Sequence, residues 1–216
     1  MPKDLYKGEY VRFTALDPKG ADFMGADNLV GDCYEIEICD EDGNYRAYLV
    51  NRFGKRVGYL DSRIIRPVQL AQAKNWIAHA YLSFVAFTAA KDEETPAQYW
   101  GQVAVLLYDS SIAASMETFE KKLSRKMADG ARPQVDFGAS ALDQLLKDPN
   151  GWFPTNKAHK PKMEKGSSIV KDHQTPNERL VEQARTKNKG CYVVSWAFII
   201  AVVATVLFGM RSCGLI

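Results

Sequence analysis

LVGDCYEIEICDEDGNYRAYLVNRFGKRVGYL, Leu29–Leu60, is the stretch on which the fold turns. Cys33–Cys39 alternates, with Tyr34, Ile36 and Ile38 on one face and polar side chains on the other, the period-two signature of a half-buried strand. Asp40–Asn44 (DEDGN) interrupts it with turn chemistry, since Gly43 and Asn44 both tolerate positive φ. Tyr45–Val50 and Lys55–Leu60 follow as strands separated by Asn-Arg-Phe-Gly. Three short strands with tight connections predict an antiparallel sheet.

The flanks extend it. Glu9–Ala15 (EYVRFTA) alternates as a strand upstream. Downstream a helix is expected near Pro67–Asn75, with Pro67 in its first turn. Trp76–Thr88 and Trp100–Tyr108, either side of an acidic loop (KDEETPAQ), are apolar almost throughout. That continuity suggests strands covered on both faces. From Asp109 the period changes. Ile112, Met116, Phe119, Leu123 and Met127 form a helical stripe, with Ser110 or Ser111 as N-cap and Gly130 as stop. Leu142, Leu145 and Leu146 mark a second short helix. Whether residues 110–153 pack on the strands or form a separate lobe stays open.

Leu29–Leu60 resembles the HIRAN domain, a small β-barrel-like module found in helicase-like chromatin proteins and as stand-alone bacterial proteins. The resemblance lies in Gly31-Asp32 followed by Tyr34, Ile36 and Ile38, in Ala47-Tyr48-Leu49-Val50, and in the closing Gly54-Lys55-Arg56-Val57-Gly58-Tyr59-Leu60. With the helix and strand after it, the likeness covers roughly residues 8–88. It implies a small barrel-like module, and with the helices read from spacing beyond it the chain is expected to be α+β, a β-rich head over 1–109 with a helical extension over 110–153. Family members that bind single-stranded DNA ends carry Tyr-Asp where this chain has Gly43-Asn44. Glycine cannot stack on a base, an interaction worth about 1–3 kcal/mol.

Against that loss stands a basic cluster, Arg52, Lys55, Arg56, Arg63 and Arg66, which with Asn44 forms the candidate ligand- or partner-binding set. It either tracks phosphates or makes a solvated rim that keeps edge strands apart. Tyr59 is read as core. No catalytic residue, metal site or cofactor is proposed. The acidic turn fails as a calcium loop, because Ile38 and Leu49 would fall at ligand positions. Cys33 and Cys39 with a distant His79 offer no zinc spacing, and no phosphate-binding glycine loop or nucleophile elbow occurs. His79 is read as structural, and the chain as non-enzymatic.

Gly190–Met210 (GCYVVSWAFIIAVVATVLFGM) is a run of 21 residues without a charged side chain. As a helix it would cover about 31 Å, the thickness of a bilayer's hydrocarbon. The expectation is a single-pass, tail-anchored protein of the cell membrane, with the span at 190–210 and a short tail over 211–216. No apolar leader opens the chain, and Arg185, Lys187 and Lys189 precede the run against Arg211 after it. The positive-inside rule then places the head in the cytoplasm. Ala197, Ala201, Thr205 and Gly209 make a small-residue stripe suited to helix packing, hence to a homo-oligomer or a partner helix.

The net charge of +2 is unevenly spread: residues 1–153 carry −4 and residues 154–189 carry +5. Residues 154–189 are therefore read as a basic linker ending in a juxtamembrane helix from Thr175-Pro176. Its lysines either meet anionic lipid head groups or serve as a topology signal. An acidic head disfavours phosphate-backbone binding, so a protein or peptide partner is expected over nucleic acid.

Overall fold

The computed structural model describes residues 5–90, 96–163 and 165–187. Among these are seven strands: β1 (Tyr6–Ala15), β2 (Cys33–Glu41), β3 (Asn44–Val50), β4 (Arg56–Leu60), β5 (Ile77–Thr88), β6 (Gln98–Tyr108) and β7 (Ser167–Lys171). Every pairing is antiparallel, in the order β2-β3-β4-β1-β6-β5-β7. Cys33–Glu35 of β2 also pairs with His79–Tyr81 of β5, which joins the first six strands into a closed ring. The protein is thus α+β, built on one large antiparallel sheet. Closure leaves few strand edges exposed.

Register explains the composition of each strand. In the pairs Ile36–Leu49, Ile38–Ala47, Leu82–Val103 and Val11–Val103, the apolar partners face the inside of the ring. The opposite faces of β1, β5 and β6 carry Tyr6, Tyr81, Leu106 and Tyr108, and these too are buried. The helix over Ala113–Ala128 (here α3) lies on them with Met116, Phe119, Leu123 and Met127, all fully buried. Two-sided cover accounts for the continuous apolarity of β5 and β6.

Two glycines set the geometry. In the hairpin between β2 and β3, Asp42 (φ 52) and Gly43 (φ 84) are the turn residues, the φ signature of a type I′ turn. Asn44, expected in that turn, instead opens β3 opposite Glu41. Gly31 has φ 90, and a Cβ there would lie 2.4 Å from the Ser124 carbonyl oxygen of α3. The Ser124 hydroxyl donates to the Gly31 carbonyl at 2.7 Å, so bare backbone is what lets α3 dock.

A four-residue helix, α1 (Ala21–Met24), follows β1. The helix α2 (Ile65–Ala73) begins two residues ahead of the expected Pro67, which sits in its first turn. Ile64, Val68 and Ala71 close one end of the ring's core. α3 is preceded by a 3-10 turn capped by Asp109, whose carboxylate accepts from Ser111 N–H at 2.8 Å. The cap is therefore neither Ser110 nor Ser111. A short α4 (Ala139–Lys147) packs on α3 through Leu142 and Leu145.

Residues 154–174 correct the linker expectation: they belong to the same compact unit as the head. Pro133 bridges Lys157, β7 pairs with β5 over Val85–Thr88, and the Gln174 side chain donates to the Val30 carbonyl at 2.9 Å. Lys171 donates to the carbonyls of Phe23, Gly25 and Asn28, and Lys160 pairs with Asp172 at 2.8 Å. The segment is held by ladders and polar side chains, with Met163 and Ile169 its apolar contacts against Phe84 and Trp100. Hydropathy does not register such contacts.

Residues from Thr175 onward form a second unit. Its described part is α5 (Pro176–Lys187), opened by a capping box. The Glu178 carboxylate accepts from Thr175 N–H at 2.8 Å, and the Thr175 hydroxyl accepts from Glu178 N–H at 3.3 Å. Among the described residues no helix is long and apolar enough to cross a membrane. The expected span at 190–210, with Ala197, Ala201, Thr205 and Gly209, and the tail lie outside the described residues.

Candidate functional site

The basic cluster read from the sequence does not converge on one point. Arg52 and Lys55 stand in the turn between β3 and β4, which Asn51 shapes by accepting from Phe53 N–H (3.0 Å) and Lys55 N–H (3.1 Å). Arg56 begins β4, Arg63 sits in the 3-10 turn before α2, Arg66 is exposed on α2, and Asn44 lies at the hairpin. Three of the cations meet carboxylates. Arg52 pairs with Asp32 at 2.6 Å, Lys55 with Asp22, and Arg56 grips Glu37 through two bonds of 2.7 and 2.8 Å. The Arg56 guanidinium holds the Glu37 carboxyl below its usual range. Cations so engaged have less free charge to offer a phosphate.

The open face of β2, β3 and β4 carries features the sequence reading missed. The Arg46 guanidinium lies 4.8 Å from the Tyr59 ring centre, and Arg56 lies 4.8 Å from that of Tyr48. Tyr59, expected in the core, is only half-buried, on the outer face opposite Thr14 and Tyr48. Strand parity carries the signal: Tyr48 and Tyr59 fall out of phase with the inward Leu49 and Leu60.

A second polar group lies between the ring and α3. His79 Nδ1 is 2.9 Å from the Glu120 carboxylate, with the Tyr108 hydroxyl at 3.5 Å. The hydrogen bond to Glu120 raises the imidazole's basicity against the opposing effect of burial. Burial pushes the Tyr108 and Tyr81 phenols up. Cys33 reaches the surface, yet its thiol lies against Tyr81 and is pushed up to about 12, first by desolvation and then by the charges of Glu120, Glu35 and Asp32. A thiol held in that form is a poor nucleophile. The pair of His79 and Glu120 reads as a tie between β5 and α3, as expected of a structural histidine.

Arg132 is a further buried cation, 7% exposed. It donates to the His159 carbonyl (3.1 Å), the Ser83 hydroxyl (2.9 Å) and the Gln102 side-chain oxygen, and its guanidinium stacks 3.6 Å over the Tyr10 ring. Desolvation lowers its basicity. It clamps the segment after α3 to β1, β5 and β6.

The remaining feature is a strand edge. β1 pairs with β6 over Tyr6–Thr14, but with β4 only over Phe13–Ala15. On the β4 side the Arg12 carbonyl accepts from Asp61 N–H (2.9 Å) and the Tyr10 carbonyl from Arg63 (3.2 Å). Backbone alternation turns the N–H and C=O of Gly8 and Tyr6 toward that same side. Among the described residues no strand pairs with them there. Beside this edge lies a cavity of about 400 Å³, floored by Leu107, Ala71 and Trp76 and walled by Leu70 of α2, itself 46% exposed. Lys7 and Lys74 also line it, Lys74 with its ammonium 5.2 Å from the Trp76 ring centre. An apolar trough beside strand backbone that no other described strand pairs with is the geometry of strand addition, with Tyr6 and Gly8 themselves buried before a partner arrives. Comparison with known proteins finds no match: no family model, no curated protein and no solved structure is similar to this chain.

Proposed function

We propose that this chain is a single-pass, tail-anchored membrane protein whose cytoplasmic head is a non-enzymatic module binding an extended segment of a protein partner. The observation that carries this reading is the Tyr6–Gly8 stretch of β1, which no described strand pairs with on its β4 side, beside the apolar trough of α2. The other strand faces are covered by α3, covered by Met163 and Ile169, or occupied by ion pairs. The anchor rests on the 21 uncharged residues at 190–210 and the basic residues before them. Within this proposal the head is HIRAN-like. In support, Arg56–Leu60 forms a strand of a closed ring and leads into α2, the order that the resemblance implies. The stripe Ala197, Ala201, Thr205 and Gly209 would pair the anchors, and the basic residues before them would meet anionic head groups.

The test is selection of a random dodecapeptide library on the full chain in mild detergent, repeated on Leu70→Asp. Enrichment of a shared peptide pattern, lost in Leu70→Asp, is the expected result. A pattern that survives Leu70→Asp moves the site elsewhere and overturns the assignment.

The alternative is a membrane-tethered nucleic-acid-binding module. Its support is the pair of Arg–Tyr stacks at Arg46–Tyr59 and Arg56–Tyr48, a surface on which bases stack readily. Salt-sensitive binding of a single-stranded oligonucleotide, lost in Arg56→Ala with Lys55→Ala, would favour it.

A further inference from the structure

We infer that the groove between β1 and α2 selects an acidic partner segment, taken up in extended form as a strand on the Tyr6–Gly8 edge. This rests on the peptide-binding reading above and adds the chemistry of the partner. An added strand gains main-chain hydrogen bonds whatever its sequence, so its identity must be read by alternate side chains. Those facing the ring's end meet Leu70, Trp76 and Leu107, which call for apolar residues. The charged groups lining the same cavity are Lys7 and Lys74, and among the described residues no carboxylate lines it. Lys7 reaches Glu9 at 2.8 Å, an exposed pair that a partner carboxylate can replace at little cost. Trp76 keeps the Lys74 ammonium near the groove through its ring.

The compact unit of residues 1–174 is close to neutral, with 23 basic and 24 acidic residues, so Lys7 and Lys74 set the local field that an approaching acidic segment meets at the groove. Two copies of this chain meeting edge to edge would bring two lysine-flanked grooves together, which disfavours self-pairing there.

The experiment uses the full chain in mild detergent and two labelled heptapeptides, one alternating Val/Leu with Asp/Glu and one alternating Val/Leu with Lys. Binding is read by fluorescence anisotropy, and backbone engagement by amide hydrogen exchange at Tyr6 and Gly8. The acidic peptide should bind about tenfold more tightly, the scale of two exposed ion pairs, with the margin narrowing as salt is added. Lys7→Glu with Lys74→Glu should reverse the order while leaving thermal unfolding unchanged. Both peptides should slow exchange at Gly8. If charge reversal leaves the preference as it was, the acidic selectivity is wrong though strand addition stands. If neither peptide slows Gly8, the peptide-binding reading falls as well. Competition by oligo-dT that depends on Lys7 and Lys74 would assign the groove to phosphate, and concentration-dependent self-association through it would assign it to a second copy.

Discussion

The ring of strands turns two different outer faces to its surroundings. Along β1, β6 and β5 the outward side chains are Tyr6, Tyr81, Leu106 and Tyr108, and α3 buries them under Phe119 and Leu123. Along β2, β3 and β4 they are Glu37, Arg46, Tyr48, Arg56 and Tyr59, joined by guanidinium–ring stacks and by the Arg56–Glu37 bridge. Both faces are rich in aromatic rings, so aromaticity does not distinguish a covered face from an open one. What differs is the cover: α3 seals the first face, whereas on the second Tyr48 (5% exposed) and the half-buried Tyr59, opposite each other, lie under the guanidinium groups of Arg56 and Arg46. The covered face holds stability and the open face is left to solvent and charge.

The largest test of this contrast removes Phe119 from the covered face. Its ring is fully buried and lies 5.5 Å from Phe137 and 5.6 Å from Phe153. Phe119→Ala should cost about 3–5 kcal/mol in denaturant unfolding, the range for deleting a buried aromatic side chain. A loss under about 1 kcal/mol would mean that α3 rests loosely on the sheet.

The same contrast explains what could be read from the sequence. Alternation at Tyr34, Ile36 and Ile38, and steps of three and four from Ile112 to Met127, are local signals, and the strands and α3 appear close to where those signals put them. Ring closure through Glu35 and His79 joins residues far apart in the chain and leaves no local mark. Residues 154–174 were illegible for a different reason: Lys171, Arg132 and Gln174 bind backbone carbonyls, and such side chains look like those of a solvated linker. The candidate groove was hidden because an open edge is defined by the strand that fails to pair. The basic cluster was visible, but its partners Asp22, Asp32 and Glu37 come from other elements.

A smaller effect separates the faces by pH. The tie of His79 to Glu120 spans the covered face, and the imidazole is more basic in the folded chain than its ordinary value of 6.5. The protonated form is therefore the one that folding favours. Its contribution is complete below that ordinary value and is lost as pH rises through the higher folded value. Of the other titratable groups around it, the Tyr81 and Tyr108 phenols and the Cys33 thiol are shifted upward and stay neutral across this range. Glu35 adds to the same upward shift as Glu120. The urea midpoint should fall modestly between about pH 6 and 8, and His79→Gln should flatten that dependence. A slope unchanged in His79→Gln would place its origin elsewhere.

The smallest expected effect lies on the open face. Arg56 and Glu37 are well exposed, with side chains 44% and 46% accessible, and solvent screens their bridge despite its two short bonds. Arg56→Ala should leave the unfolding midpoint within experimental scatter, as should Glu37→Gln. The two variants differ in another way. Glu37→Gln frees the Arg56 charge, whereas Arg56→Ala strips the Tyr48 ring of its cation. If the open face is inert, neither variant alters the binding of any probe. If it is the nucleic-acid surface of the alternative reading, Glu37→Gln should tighten oligonucleotide binding and Arg56→Ala should weaken it, at unchanged stability. That opposite pair of shifts would make the uncovered face, rather than the β1 edge, the working surface of the protein.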